Sequence, residues 1–368
     1  MAAAGVRHPA ALPAHLEAGE PPEARGLRRD DVRLLVSRVD RDSVVHSHFR
    51  DLPRWLSPGD LLVVNTSGTL KAALSARTSD GHPFELHLST RLPGNFWVIE
   101  VRRPGVVASL PCADAQAGIV FELDGGGRIA ILAPYPLAGS LEARSRLWIA
   151  ALELDEPLLP YLQRAGRPIR YSYVTTPWPE SMYQTVFATE PGSAEMPSAG
   201  RPFTPELVTR LVSSGIEIAP LLLHTGVASL EDHEPPYEEY FRVPAETAER
   251  VNAARRAGHR VIAVGTTVVR ALETVTDARH VTSAGEGWTD LVITEERPLR
   301  AVSGMITGFH EPRATHLAIA TQAIAAAGGE AAPVQLERAY REAQRAGYLW
   351  HEFGDSHLIL GDGAPAAR

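Results

Sequence analysis

The feature that most restricts how this chain of 368 residues can fold is a change of hydrophobic period part-way along it. From about Ala76 to Glu153 apolar and polar residues alternate, as in Phe84-Glu85-Leu86-His87-Leu88, Phe96-Trp97-Val98-Ile99-Glu100-Val101 and Ile119-Val120-Phe121-Glu122-Leu123. A period of two belongs to strands with one face buried. Asp124-Gly125-Gly126-Gly127 joins the last run to Arg128-Ile129-Ala130-Ile131-Leu132, and its glycines tolerate the positive φ of a tight hairpin.

The flanking sequence obeys another rule. Leu34-Leu35-Val36 and Val44-Val45 bracket Asp40-Arg41-Asp42 as a hairpin, and Leu61-Leu62-Val63-Val64 after Pro58-Gly59-Asp60 reads as a strand buried on both faces. Beyond Pro157, helices and strands take turns. Thr204 caps a helix with Pro205 at its first position and Gly215 closes it, before an extended run from Ile216 to Leu223. A helix between Pro244 and Gly258 leads to a strand, Val261 to Val264, which turns at Gly265-Thr266-Thr267 into a helix ending at Thr274. A helix from Pro333 to Gly347 and a strand at Leu358-Ile359-Leu360 finish the chain. This β-α-β-α order predicts an α/β fold with a mostly parallel sheet or barrel. The expected organisation is a larger α/β-barrel-like domain made of residues 31–75 and 156–368, with a small β-barrel domain inserted at 76–155. Residues 1–30, broken by Pro21-Pro22, are expected to form a loosely held lead-in.

Several function classes fall away on composition. Cys112 is the only cysteine, so neither an internal disulfide nor a thiolate metal cluster is available, and a reducing cytoplasm fits. Lys71 is the only lysine and comes after Leu70, which excludes a phosphate-binding loop ending in Gly-Lys-Ser/Thr. There is no HExxH pair, CxxC or GxGxxG, so no metal site is expected. Met196-Pro197-Ser198-Ala199-Gly200 lacks the first glycine of a hydrolase elbow. The N-terminus has no compact apolar stretch of a signal peptide, and Leu317 to Ala327 is too short to span a bilayer. With 36 basic against 44 acidic residues the formal charge is −8, so nucleic acid would have to bind a local basic face. Arg164, Arg167 and Arg170 beside Tyr161, Tyr171 and Tyr173 form one such run, although a run of this kind is more often solvated surface.

The segment from Val261 to Glu273 carries the strongest local signal. A helix beginning just after a buried strand exposes unpaired N–H groups, and Thr266 and Thr267 add hydroxyls suited to an anionic or oxygen-rich ligand. Either threonine can equally serve as a helix cap. Asn65, His224 and Gly265 each come directly after a strand, where ligands of α/β proteins gather. With 14 histidines in the chain, His224 and His310 taken one at a time read as structural before chemical.

Taken in order, segments from Arg29 to Leu360 resemble the S-adenosylmethionine:tRNA ribosyltransferase-isomerase family of queuosine synthesis. The resemblance is carried by Arg29-Asp30 with Arg33-Leu34-Leu35-Val36, Asp51-Leu52-Pro53, Pro58-Gly59-Asp60 through Asn65, Leu159-Pro160-Tyr161 and Tyr183-Gln184-Thr185-Val186. It continues through Phe203-Thr204-Pro205-Glu206-Leu207, Leu223-His224 with Gly226, Glu239, and Gly265-Thr266-Thr267 with Val269-Arg270 and Leu272-Glu273. Trp288-Thr289-Asp290, Phe309-His310 with Pro312 and Thr315, and Gly354-Asp355 complete it.

The resemblance implies an α/β-barrel-like domain with an inserted β-barrel, S-adenosylmethionine as co-substrate, tRNA as partner, and no membrane. It implies transfer of the ribosyl part of S-adenosylmethionine to a 7-aminomethyl-7-deazaguanine base in tRNA, forming epoxyqueuosine and releasing adenine and methionine. It points to His224 and His310 for proton transfer, with Asp355 or Glu239 orienting them or sharing that role. Gly265, Thr266, Thr267 and Arg270 would hold the methionine carboxylate or ribose oxygens, and Asn65, Tyr183, Gln184, Phe203 and Thr204 would shape the pocket. The chain departs from the family pattern at Asn65-Thr66-Ser67-Gly68 (Asn-Asp-Thr-Arg in the family), Arg201-Pro202 (Leu-His), Ala228-Ser229-Leu230 (Gly-Thr-Phe), Gly308 (Asn) and Glu352-Phe353 (Ser-Tyr). These departures keep two alternatives open: use of S-adenosylmethionine on a small nucleoside or metabolite, and non-catalytic binding of RNA or a nucleoside.

Overall fold

A computed structural model of the chain describes residues 12–112, 114–135, 145–227, 238–311 and 316–361. The alternating block forms a closed barrel. Its strands run Leu147–Glu153, Arg128–Tyr135, Val120–Leu123, Ala73–Arg77, Pro83–Arg91, Phe96–Arg103 and back to Leu147–Glu153, with Leu110–Pro111 added outside. Closure leaves these short strands without an open edge, and their alternate residues, such as Leu86, Leu88, Phe121, Ile129 and Ile131, fill the interior. The hairpin turn uses Gly125, Gly126 and Gly127 at φ of 114°, 96° and 88°, which side chains rarely adopt.

The rest of the chain builds a nine-stranded sheet: β1 (Arg33–Arg38), β2 (Ser43–His48), β3 (Leu61–Asn65), β4 (Glu217–Leu223), β5 (Glu239–Val243), β6 (Val261–Val264), β7 (Gly285–Thr289), β8 (Gly304–Gly308) and β9 (Ser356–Leu360). Their spatial order is β7-β5-β4-β3-β6-β8-β9-β1-β2. The helices are α1 (Leu158–Ala165), α2 (Pro205–Ser213), α3 (Ala245–Arg256), α4 (Thr266–Thr274), α5 (His316–Ala326) and α6 (Ala332–Arg345). Alternate residues of β3 enter different cores, Leu61 and Val63 with α3 to α6, Leu62 and Val64 with α2. Burial on both faces explains why this strand reads as an unbroken apolar run. The α/β class with a larger sheet domain and a small inserted barrel is therefore the fold of this chain.

Two details differ from expectation. The large sheet is mixed: β4, β3, β6 and β8 run parallel, whereas β5, β7, β9 and β2 pair antiparallel with β4, β5, β8 and β1. The lead-in is not loosely held over its described part, residues 12–30. The Ala18 N–H donates to the Trp350 carbonyl and the Trp350 N–H to that of Leu16, at 3.2 and 2.8 Å, with Leu16 and Ala18 buried. Prolines forbid one continuous helix there, but short 3₁₀ turns packed on the C-terminal loop satisfy the backbone instead.

Candidate active site

The topology gathers the sequence-predicted residues at one edge of the large sheet. Because β3, β4, β6 and β8 are parallel, their C-terminal ends lie side by side, and Asn65, His224, Gly265 and His310 stand at or just beyond those ends. The antiparallel strands β5 and β9 begin at that edge, bringing Glu239 and Asp355 to it. His224 and His310 leave strands three places apart, about 14 Å along the edge at the usual strand spacing.

His224 is held on three sides. Its Nδ1 lies 2.7 Å from Ser67 Oγ, which is 2.6 Å from Ser193 Oγ. Ser67 and Ser193 belong to the two strands of a short parallel ribbon, Ser67–Thr69 and Glu190–Ser193, in which Ser67 is opposite Glu190 and Ser193 is opposite Thr69. Tyr240 stacks on one side of the imidazole at 6.0 Å between centroids. On Gly192 a Cβ would fall on the imidazole atoms Cε1, Nδ1 and Nε2, so only glycine lets the ribbon lie against the ring. Burial lowers the His224 pKa below its ordinary value, against the pull of Glu190, and the ring is neutral at pH 7.

Gly265 makes the bend at φ 97°, and its N–H donates to the Ile306 carbonyl at 2.8 Å. Among the described residues no side chain caps α4, so neither threonine plays the capping role. Thr267 Oγ1 instead accepts from Asn65 Nδ2 at 3.3 Å. Asn65 spends its remaining groups on the chain that leads to His224: Nδ2 donates to the Leu223 carbonyl at 2.8 Å, and Oδ1 accepts from the Leu223 and Ser67 N–H groups at 3.0 Å each. It ties the bend to the His224 strand. One turn along α4, Arg270 pairs with Glu239 and donates to the carbonyls of Leu291 (3.1 Å) and Thr289 (3.0 Å). Glu239 also accepts the Gly226 N–H at 2.9 Å, just past His224. This pair braces the loop and spends its groups on the protein.

His310 hydrogen-bonds Thr307 Oγ1 through Nε2 at 2.9 Å and stacks flat on His316, 4.5 Å between centroids and 7° between planes. Burial, with His316, His351 and His357 nearby, drives its pKa well below the ordinary histidine value. Burial lowers His316, with Arg270 adding, and His351 to about 4 each, and His357 to about 3. His351 stacks on Tyr173 at 4.1 Å, and the Tyr173 hydroxyl donates to Glu352 at 2.5 Å. Burial and Glu352 raise the Tyr173 pKa.

Four expected pocket residues serve the framework. Phe203 is fully buried between Phe49 and Phe187, and Thr204 caps α2 by accepting the Leu207 N–H at 3.1 Å. Gln184 uses both ends of its amide on the Thr69 backbone, at 3.0 and 2.8 Å, and Tyr183 is buried against Phe353. Asp355 stands at the edge, but it accepts the Arg33 and Leu349 N–H groups at 2.8 Å each and the Arg33 guanidinium at 2.9 Å. That leaves it a strand anchor. In the basic run, Tyr161 is buried in the barrel core, and Tyr171 bonds Glu195, so these rings are taken up internally. Sequence reasoning missed Ser193, Gly192, Tyr240, His316 and His351; Ser67 stood out only as a departure from the family pattern. Residues 228–230, Pro312 and Thr315, which also bear on the resemblance, lie outside the described residues.

With this geometry established, the family match is decisive: the model of the queuosine biosynthesis protein family matches residues 10–359. The chain belongs to that family. Its relatives include the S-adenosylmethionine:tRNA ribosyltransferase-isomerase of Moorella thermoacetica, 40% identical over 90% of this chain and 94% of that protein. The enzyme of the same name from Carboxydothermus hydrogenoformans is 35% identical over 95% of this chain and 97% of that one. The crystal structure of S-adenosylmethionine tRNA ribosyltransferase from Thermotoga maritima is 28% identical, covers 97% of this chain and 100% of its own, and has a TM-score of 0.49. Among the described residues of this family member no helix is long and apolar enough to cross a membrane.

Proposed function

We propose that the chain is an S-adenosylmethionine-dependent ribosyltransferase-isomerase that transfers the ribosyl moiety to a 7-aminomethyl-7-deazaguanine base in tRNA. The products are epoxyqueuosine in tRNA, adenine and methionine. The observation that carries the reading is the gathering of Asn65, His224, the Gly265 bend and His310 at one sheet edge, in a chain matched nearly end to end by the family. A tRNA acceptor supports a cytoplasmic reaction.

The sulfonium of S-adenosylmethionine acidifies the adjoining ribose CH₂. A neutral imidazole can take that proton, and adenine leaves with the electron pair of its glycosidic bond as negative charge on its nitrogen is stabilised. The unprotonated aminomethyl nitrogen bonds the activated sugar and gives up a proton, and methionine departs with the electron pair of the carbon–sulfur bond as the epoxide-bearing product forms. His224 and His310 supply the two neutral imidazoles. The uncapped first turn of α4, with Thr266 and Thr267, offers N–H and hydroxyl groups to the methionine carboxylate or the ribose oxygens. Arg270 and Glu239 hold the loop carrying His224, and Asn65 keeps that loop in register with the bend.

The test is product analysis by mass spectrometry after incubation with S-adenosylmethionine and tRNA bearing the aminomethyl base. Adenine release coupled to a gain of the ribosyl mass on tRNA is expected. Adenine release that is indifferent to tRNA, or absent with it, defeats the proposal.

A further inference from the structure

Resting on the transferase reading above, we infer that Ser193 and Ser67 form a hydrogen-bond relay that fixes His224 as its Nε2–H tautomer, making His224 a neutral hydrogen-bond donor to the substrate and not the base. The argument is an accounting of donors. Ser193 is fully buried, and its Oγ already accepts the Thr225 N–H at 3.0 Å. Its own hydroxyl proton has one acceptor among the described residues, Ser67 Oγ at 2.6 Å. Ser67 is 1% exposed, and once it accepts from Ser193 its proton goes to the remaining neighbour, His224 Nδ1, at 2.7 Å. Nδ1 is then an acceptor, and the proton of the neutral ring sits on Nε2. The opposite direction, with Nδ1–H donating to Ser67 and Ser67 to Ser193, would strand the Ser193 proton in an enclosed site with no acceptor, which is costly.

The ring cannot turn to offer its other nitrogen, because Gly192 lies against it and Tyr240 stacks beside it. Nε2 has no protein partner among the described residues, so the N–H is left for a ligand. A neutral imidazole N–H polarises an acceptor without giving up its proton, and the group it suits is one gaining negative charge as adenine departs. The task of removing the ribose proton then passes to another group at the edge, and His310, three strands away, is the imidazole available for it.

The test uses the full chain labelled with ¹⁵N in its histidines, the His224 signals being assigned by their loss in His224→Gln. At pH 7–8 the expected spectrum has Nε2 protonated and Nδ1 shifted as a hydrogen-bond acceptor, with the Nε2–H form in about tenfold or greater excess. Finding the proton on Nδ1 overturns the inference, and since no substrate is present that result is independent of whether the chain transfers ribose. For Ser67→Ala the Nδ1 signal should move to the position of an unbonded nitrogen. Adenine release should then fall about tenfold in kcat, with KM for S-adenosylmethionine within about twofold. Ser67→Thr, which keeps the hydroxyl, should restore both. A Ser67→Ala chain with unchanged Nδ1 shift and kcat also overturns it.

Discussion

Most of the chemistry rests on how a few small residues hold large ones. Gly192 is the clearest case: Gly192→Ala puts a methyl group where the imidazole of His224 lies, and the ring must give way. Turnover is expected to fall roughly 100-fold, the scale of a lost proton-transfer or charge-stabilising group, with little change in thermal midpoint. Steady-state adenine release and a melting curve on the same sample check it. His224→Ala and His310→Ala should each lower turnover by a similar factor, and unaltered turnover in both would remove them from the reaction. His224 was visible in the sequence as a histidine just past a strand, and His310 through the Phe309-His310 segment of the family resemblance. Ser193 and Gly192 were not, because what matters about them is proximity across some 30 residues or more, and a lone serine or glycine carries no periodic signature.

Elements set the sheet edge. Asp355 joins the start of β1 to the start of β9 by accepting two backbone N–H groups and a guanidinium, so Asp355→Ala leaves buried donors without partners. The expected cost is roughly 2–4 kcal/mol of stability. Turnover per folded molecule should be nearly preserved. Urea unfolding together with active-fraction kinetics separates this from a catalytic role, which would show a large fall in kcat at full folding. Thr204→Ala should cost about 1 kcal/mol through the lost cap on α2 and leave kcat unchanged in the same assays. At this scale the sequence was informative: the Thr204 cap, the Gly265 bend and the buried β3 run all announce themselves by local pattern. The insertion of β9 between β8 and β1, antiparallel to the first and parallel to the second, was hidden, since pairing partners far apart in the chain leave no mark on either strand.

For the molecule as a whole, the fold keeps several imidazoles neutral, and this sets its response to acid. His316 and His351 take up protons near pH 4 and His357 near 3 in the fold, against an ordinary histidine value near 6.5 once unfolded. Between those limits the unfolded chain binds more protons, so stability is fully present above about pH 6.5 and falls as pH drops toward 4. The slope is up to about 1.4 kcal/mol per pH unit for each such histidine. Melting temperatures should hold from pH 8 to about 6.5 and fall steeply from there to pH 5, and His357→Gln should flatten that fall; a midpoint that holds or rises over the lower range contradicts this. The placing of β9 has a consequence of another kind. Among the described residues, the hairpin of β1 and β2 meets the remainder of the sheet only through residues 356–360, which come some 300 residues later in the chain. Until the ribosome has delivered them, that hairpin has no neighbour on one flank, and a polypeptide truncated before residue 356 has two raw strand edges, at β8 and β1, prone to aggregation.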